Sequence, residues 1–239
     1  MSQDGSDTWL NITHVMFSRD RKKIFSDLSL KCSERHIGLL GNNGAGKSTL
    51  LRMLNGLLLP QSGSINVLGV DVPKNVRRAM QTVGFVFQNP DHQIIFPTVL
   101  DELSFGFRNR GFSRIDSALI VRKWLKKYDC EHWYDLAVDE LSEGERQKLC
   151  LISVSALEPA VIALDEPFAS LDLKNRITLS ELLVQLPQRL VIASHDLELL
   201  RRMERVFWLD RGEIVADGDP EIVIKRYVEA CCAKSDDGG

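Results

Sequence analysis

The sequence lacks most of the features that mark a special class of protein. Its five cysteines, Cys32, Cys130, Cys150, Cys231 and Cys232, form no C-x-x-C pair and stand in no histidine-rich neighbourhood, so zinc and redox motifs are not expected. They read as reduced thiols of a cytosolic protein. Apolar runs are short, as in Leu57-Leu58-Leu59, and the opening MSQDGSDTWL has no basic stretch leading into an apolar one. Neither a membrane span nor a secretory leader is expected. With 8 prolines and 16 glycines in 239 residues, collagen-like and low-complexity architectures are excluded. No charge of one sign dominates: 30 basic and 33 acidic residues leave −3, which gives no general field for nucleic acid or an anionic bilayer. Any anion must therefore be held locally. What is present is 44% hydrophobic residues, enough for one large core or a core with a subdomain, without a disulfide or metal staple.

Residues 10–17 and 24–32 alternate or carry β-branched apolar side chains, which predicts strands of a small antiparallel unit. Ile37-Gly38-Leu39-Leu40 is a compact strand that runs straight into a glycine-rich turn. Leucines at 50, 51, 54, 57 and 58 predict an amphipathic helix over 47–58, stopped near Pro60. Strands are expected over 63–70 and 82–87, followed by helices over 99–110, 113–128 and 144–157. Then come strands Val161-Ile162-Ala163-Leu164 and Leu190-Val191-Ile192-Ala193 around a helix near 174–186, with further strand and helix signals to about residue 233. Strands alternating with helices predict an α/β fold whose mainly parallel sheet is covered on both faces. The polar Ser235-Asp236-Asp237-Gly238-Gly239 is expected to fray.

Gly41-Asn42-Asn43-Gly44-Ala45-Gly46-Lys47-Ser48 fits G-x-x-x-x-G-K-[ST] and lies between a strand and a helix. A chance match anywhere in the chain has a probability of roughly 0.01. Glycines let backbone N–H groups converge on phosphate oxygens, the helix N-terminus adds a favourable dipole, Lys47 supplies a cation and Ser48 can ligate Mg²⁺. Asp165-Glu166-Pro167 closes a buried strand, where open α/β sheets bind ligands. Asp165 is placed to hold Mg²⁺, and Glu166 to polarise an attacking water. Gln88 and His195 end two other strands. Ser142-Glu143-Gly144-Glu145 is by itself a capping box at a helix start.

Taken in order, these segments resemble the ATP-binding cassette ATPases over nearly the whole chain: the phosphate loop at 41–49, closing with Thr49, then Gln88, Leu141-Ser142-Glu143-Gly144-Glu145, Asp165 and Glu166, Ser170-Leu171-Asp172, and His195. The resemblance implies one cassette, with a nucleotide-binding α/β core and antiparallel β subdomain in 1–87 and 159–239 and a helical subdomain in 88–158. It implies ATP and Mg²⁺ as ligands, with Ser48, Gln88 and Asp165 on the metal. Glu166 is then the general base, His195 steadies the γ-phosphate, Lys47 stabilises charge and Gln88 links the metal or water to a membrane partner. Two copies would pair head to tail, so that Ser142 and Gly144 grip the γ-phosphate in trans and Asp172 lies at the interface. Identical pairing is favoured because one chain holds both halves of a site.

Gln88-Asn89-Pro90-Asp91-His92-Gln93-Ile94-Ile95-Phe96-Pro97-Thr98-Val99, with Glu102-Leu103-Ser104-Phe105-Gly106, is similar to the Q-loop region of energy-coupling-factor transporter ATPases. That likeness implies a motor at the cytoplasmic face of the membrane, working with a transmembrane coupling subunit and a substrate-binding membrane subunit. It implies uptake of a vitamin or transition-metal ion of the biotin, cobalt and nickel class, with no nucleic-acid partner. Ile94, Ile95 and Phe96 would then line a groove for a coupling helix; otherwise they are core residues. A soluble cassette ATPase that remodels a protein assembly is the alternative. Three departures stand out. Arg19 occupies the place of the adenine-stacking aromatic, leaving that role to Arg19 or Phe17. Glu143 and Glu145 bring carboxylates to the signature, each costing about 1–2 kcal/mol against a phosphate charge at about 7 Å and an effective dielectric of 20–40. Phe168 replaces a small polar residue.

Overall fold

The structure, a computed structural model, describes residues 8–169 and 171–236, with side chains as far as residue 233. The chain opens with β1 (Leu10–Arg19), β2 (Lys22–Cys32), β3 (His36–Leu40), α1 (Lys47–Asn55), β4 (Ser62–Val67), β5 (Val70–Asp71), α2 (Val76–Thr82) and β6 (Val83–Val86). Helices α3 (Val99–Asn109), α4 (Arg114–Lys127) and α5 (Glu143–Ser155) follow. Then come β7 (Val161–Asp165), α6 (Leu173–Gln185), β8 (Arg189–Ala193), α7 (Leu197–Arg201), β9 (Arg205–Asp210), β10 (Glu213–Gly218) and α8 (Pro220–Asp236).

One compact unit comprises residues up to Phe85, Ala160–Glu166 and the chain from Gln188 onward. It contains a six-stranded sheet in the order β10-β9-β3-β8-β7-β6. β3 runs parallel to β8 and β9, β7 runs parallel to β8, and the β9–β10 hairpin is antiparallel. Every residue of β3 and β7 is buried, including His36 and Asp165 at their ends, as the inner strands of a parallel sheet covered on both faces must be. A second sheet, β2-β1-β4-β5, is antiparallel; it buries Leu10, Ile12 and Val15 beside Phe25, Leu28 and Leu30, with the two-residue alternation broken by register shifts around His14, which has a positive φ.

Helix α1 buries Leu50, Leu51, Met53 and Leu54, each contributing about 1.5–3 kcal/mol. It ends short of the predicted 58, because Gly56 takes the left-handed cap at φ 85 and donates its N–H to the Met53 carbonyl. The expected strand 63–70 is two strands. Leu68 and Gly69 both have positive φ and turn the chain, with the Asn66 side chain accepting from Gly69 N–H at 2.9 Å. Helix α2 has no counterpart in the sequence reading and displaces the start of the expected strand 82–87.

The second unit comprises Val86–Pro159 and Pro167–Pro187. Its core is built from Val99, Leu103, Val121, Leu125, Trp133, Leu149 and Ile152. Thr98, Ser113, Ser142 and Asp172 cap α3, α4, α5 and α6 by accepting from backbone N–H groups in the first turn. The expected helical subdomain stops at 158 and leaves 167–187 with the core. Here that segment groups with the helices, because α6 packs on α5: a Cβ at Gly144 would stand 2.6 Å from the Asn175 side chain. Phe168 is buried in this unit, and nothing else accounts for it.

All five cysteines are free; Cys32, Cys130 and Cys150 are buried, Cys231 is half-buried and Cys232 is exposed. No helix among the described residues is long and apolar enough to cross a membrane. Helix α8 continues through Ser235 and Asp236, where fraying is expected; 237–239 and Ser170 lie outside the described residues.

Candidate nucleotide site

The site of the α/β unit starts where β3 ends. A Cβ at Gly41 would fall 2.1 Å from the Leu209 carbonyl oxygen of β9, so only glycine lets the loop leave the sheet at this point. Asn42, Asn43 and Gly44 are exposed, and a Cβ at Gly44 would meet nothing within 4 Å, so that flank of the loop stands open. Ala45, Gly46 and Lys47 turn inward, with Ser48 and Thr49 half-buried behind them. Helix α1 begins on Gly46 with no side-chain cap and no acidic residue in its first turn, leaving its N–H groups and dipole to an outside anion.

Lys47 is buried. Its Nζ donates to the carbonyls of Gly41 at 2.6 Å and Asn42 at 3.4 Å, and stands 3.6 Å from Glu166 Oε1. Ser48 Oγ donates to Asp165 Oδ1 at 2.7 Å. Burial raises the Asp165 carboxyl above its ordinary range, the Ser48 hydrogen bond and Arg52 oppose this, and the Glu166 charge adds to it. Glu166 sits at φ 46, a left-handed conformation unusual for a residue with a side chain, and its N–H donates to Ala193 O at 2.8 Å. That backbone turn presents the carboxylate to Lys47 and His195. Glu166 Oε2 accepts from the His195 N–H at 3.2 Å and lies 2.8 Å from its Nδ1; Oε1 is buried with no hydrogen-bond partner.

Gln88, Ser142, Gly144 and Asp172 belong to the helical unit. Gln88 is exposed just beyond β6. Gln93 fixes this stretch, accepting from Phe87 N–H at 3.1 Å and donating to Cys150 O at 3.1 Å. Glu102 Oε2 accepts from the N–H groups of both Ile95 and Phe96 at 2.9 Å. Ile94 packs on the helical core, Ile95 is 71% exposed, and Phe96 lies 5.1 Å from the exposed Phe105 ring. At α5 the capping box is realised: Glu145 Oε2 accepts from Ser142 N–H at 2.9 Å and from Ser142 Oγ–H at 2.6 Å, which holds the Glu145 carboxyl below its ordinary range. The Ser142 hydroxyl proton is therefore committed within the chain. Glu143 is exposed, and Asp172 accepts from Asn175 N–H at 2.8 Å.

Residues 25–169 match the ABC transporter family model. The chain belongs to the ABC transporter family. It is 44% identical over 221 residues to the biotin transport ATP-binding protein BioM of Rhodobacter capsulatus, covering 92% of this chain and 94% of that protein. The BioM of Rhizobium etli is 39% identical, with coverage of 84% and 90%. Among solved structures, CbiO1 of Clostridium perfringens, described as part of the ABC transporter complex CbiONQ, superposes with a TM-score of 0.82 at 28% identity, covering 92% of each chain. The cassette fold and an ATPase activity coupled to transport, both expected from the sequence, are thus established for this ABC protein.

The site also fits the ligands of such an ATPase. Ser48 Oγ and Asp165 Oδ1 are hard oxygen donors of the kind Mg²⁺ takes, and they are already adjacent. Among the described residues no group of three or more His, Cys, Asp or Glu could hold a metal. Beside the loop of this ABC ATPase lies a cavity of about 350 Å³, lined by Lys22, Lys23, Asn42, Asn43, Asp210 and Arg211 among others. Sequence reasoning named none of Lys22, Lys23 and Arg211; the basic run Arg21-Lys22-Lys23 was the available signal for the first two, and none marked Arg211. Arg19 itself is exposed, with its Nε 3.7 Å from Asp20, and Phe17 is half-buried on β1.

Proposed function

We propose that this ABC ATPase is the motor of an energy-coupling-factor importer and hydrolyses ATP with Glu166 as general base. The Glu166 carboxylate carries the chemical half of the proposal: one oxygen is tied to His195, while the other is buried, unbonded and beside Lys47, a position from which it can accept a proton from water. The N–H groups at the start of α1 and the Lys47 ammonium hold the phosphates, with residues 41–49 as the cradle. Ser48 and Asp165 would hold Mg²⁺. When bound, the ion neutralises phosphate charge and orients the terminal group. His195 orients Glu166 and faces the γ-phosphate.

In this reading Ser142, Gly144 and Asp172 serve the site of a second cassette, and an identical chain is favoured as that partner. Gln88 and the exposed Ile95 face a transmembrane coupling subunit, placing the ATPase at the cytoplasmic face of the membrane beside a substrate-binding subunit. The cargo is a vitamin or transition-metal ion; within that class biotin is supported by two relatives described as biotin transport proteins. Affinity capture from detergent-solubilised membranes tests this: membrane subunits are expected to co-purify, and a chain recovered only as a soluble oligomer would overturn the transport reading.

The commitment of Ser142 to Glu145 carries its own prediction. Glu145→Gln keeps an acceptor for the cap and removes a charge worth about 1–2 kcal/mol against a phosphate, so ATP-driven pairing should tighten roughly 5- to 30-fold. Equal or weaker pairing, measured by ultracentrifugation in a hydrolysis-deficient background, would count against trans phosphate binding by α5.

A further inference from the structure

We propose that Tyr227 of α8 is a positioning residue for the phosphate loop, and that through Asn42 it sets the affinity for nucleotide. The inference rests on the nucleotide-site reading above. Tyr227 Oη donates to Asn42 Oδ1 at 2.9 Å across 185 positions of sequence. Its ring meets buried Trp208 edge-on, with centroids 5.5 Å apart at 85°. Trp208 in turn pairs with Leu40, the last residue of β3 before the loop. Val223 and Ile224, buried one turn earlier on α8, anchor the helix that carries the tyrosine.

The contact lies on the exposed flank of the loop. Asn42 is exposed and stands between Gly41 and the open Gly44 flank, yet its carbonyl accepts from Ala45 N–H at 3.1 Å and from Lys47 Nζ at 3.4 Å. Fixing the Asn42 side chain therefore fixes a carbonyl that shapes the loop and holds the lysine. Burial raises the tyrosine's ionisation above its ordinary range, in keeping with a neutral hydroxyl that donates to Asn42. A loop ordered before nucleotide arrives loses less freedom on binding, which appears as affinity rather than turnover.

Tyr227→Phe keeps the ring against Trp208 and removes only the hydroxyl. In the full chain, Mg·ATP should bind roughly 3- to 10-fold more weakly by calorimetry, KM should rise in parallel, and kcat should change less than about twofold. Asn42→Ala should weaken binding similarly, and the double variant should be no weaker than either single one. Wild-type protein that binds ATP while Tyr227→Phe matches it, or effects that simply add, would overturn the inference alone. A wild type that binds no ATP would overturn the nucleotide reading and this inference with it. A melting temperature unchanged in Tyr227→Phe separates positioning of the loop from general loss of packing.

Discussion

Glu166→Gln is expected to lower ATP turnover in the assembled transporter by roughly 10²–10⁴-fold, the range contributed by a positioned general base. The exchange preserves size and keeps an oxygen to accept the His195 N–H at 3.2 Å, so the left-handed backbone at φ 46 and the end of β8 remain in place. What it removes is the basicity of an oxygen that no hydrogen bond occupies. Binding of Mg·ATP should stay within a few-fold of wild type, because the loop N–H groups and the Lys47 ammonium are untouched. Steady-state phosphate release and equilibrium nucleotide binding give the two readings independently. Turnover near the wild-type level would remove Glu166 from the role of base, whatever the binding result.

Lys47→Ala is expected to abolish detectable ATP binding, a loss of at least roughly 100-fold, since it withdraws the one buried cation of the loop from a ligand carrying several charges. The same change has a second effect in the absence of nucleotide. Lys47 and Glu166 are a mostly buried pair, with side chains 6% and 11% exposed, and removing one partner leaves the other charge uncompensated at a cost of about 3–5 kcal/mol. The Gly41 carbonyl also loses its 2.6 Å donor. Glu166→Gln should then restore much of the stability lost in Lys47→Ala, because it removes the stranded charge. Thermal or urea unfolding of the four proteins of this cycle measures the coupling. If the two changes add without interaction, the pair is not energetically coupled and the electrostatic account of the site fails, even if ATP binding is lost.

The two variants probe features that reached the sequence in different ways. Gly41 to Ser48, the Asp165-Glu166 strand end and the capping box at Ser142 were legible because each is local. A strand, a glycine turn and a helix start in immediate succession fix where N–H groups point, and a serine three residues before a glutamate closes its own hydrogen bonds. Helices α3, α4 and α5 were placed within a few residues for the same reason: hydrophobic period and N-caps act over single turns. Where two local signals competed, the reading erred. The left-handed Gly56 ended α1 before Pro60, the Leu68-Gly69 turn split one strand into two, and α2 carried too weak a pattern to register.

By itself the sequence determined that a phosphate-binding loop and a buried acidic strand end share one α/β chain, since residue types at short spacing dictate backbone direction and charge. Tertiary structure alone decided which atoms meet. Glu166 turns through a strained φ to face Lys47 and His195, residues 167–187 group with the helices, and Tyr227 reaches Asn42. These contacts join segments far apart in the chain. Their geometry is set by how whole strands and helices pack, which no local pattern of residues encodes.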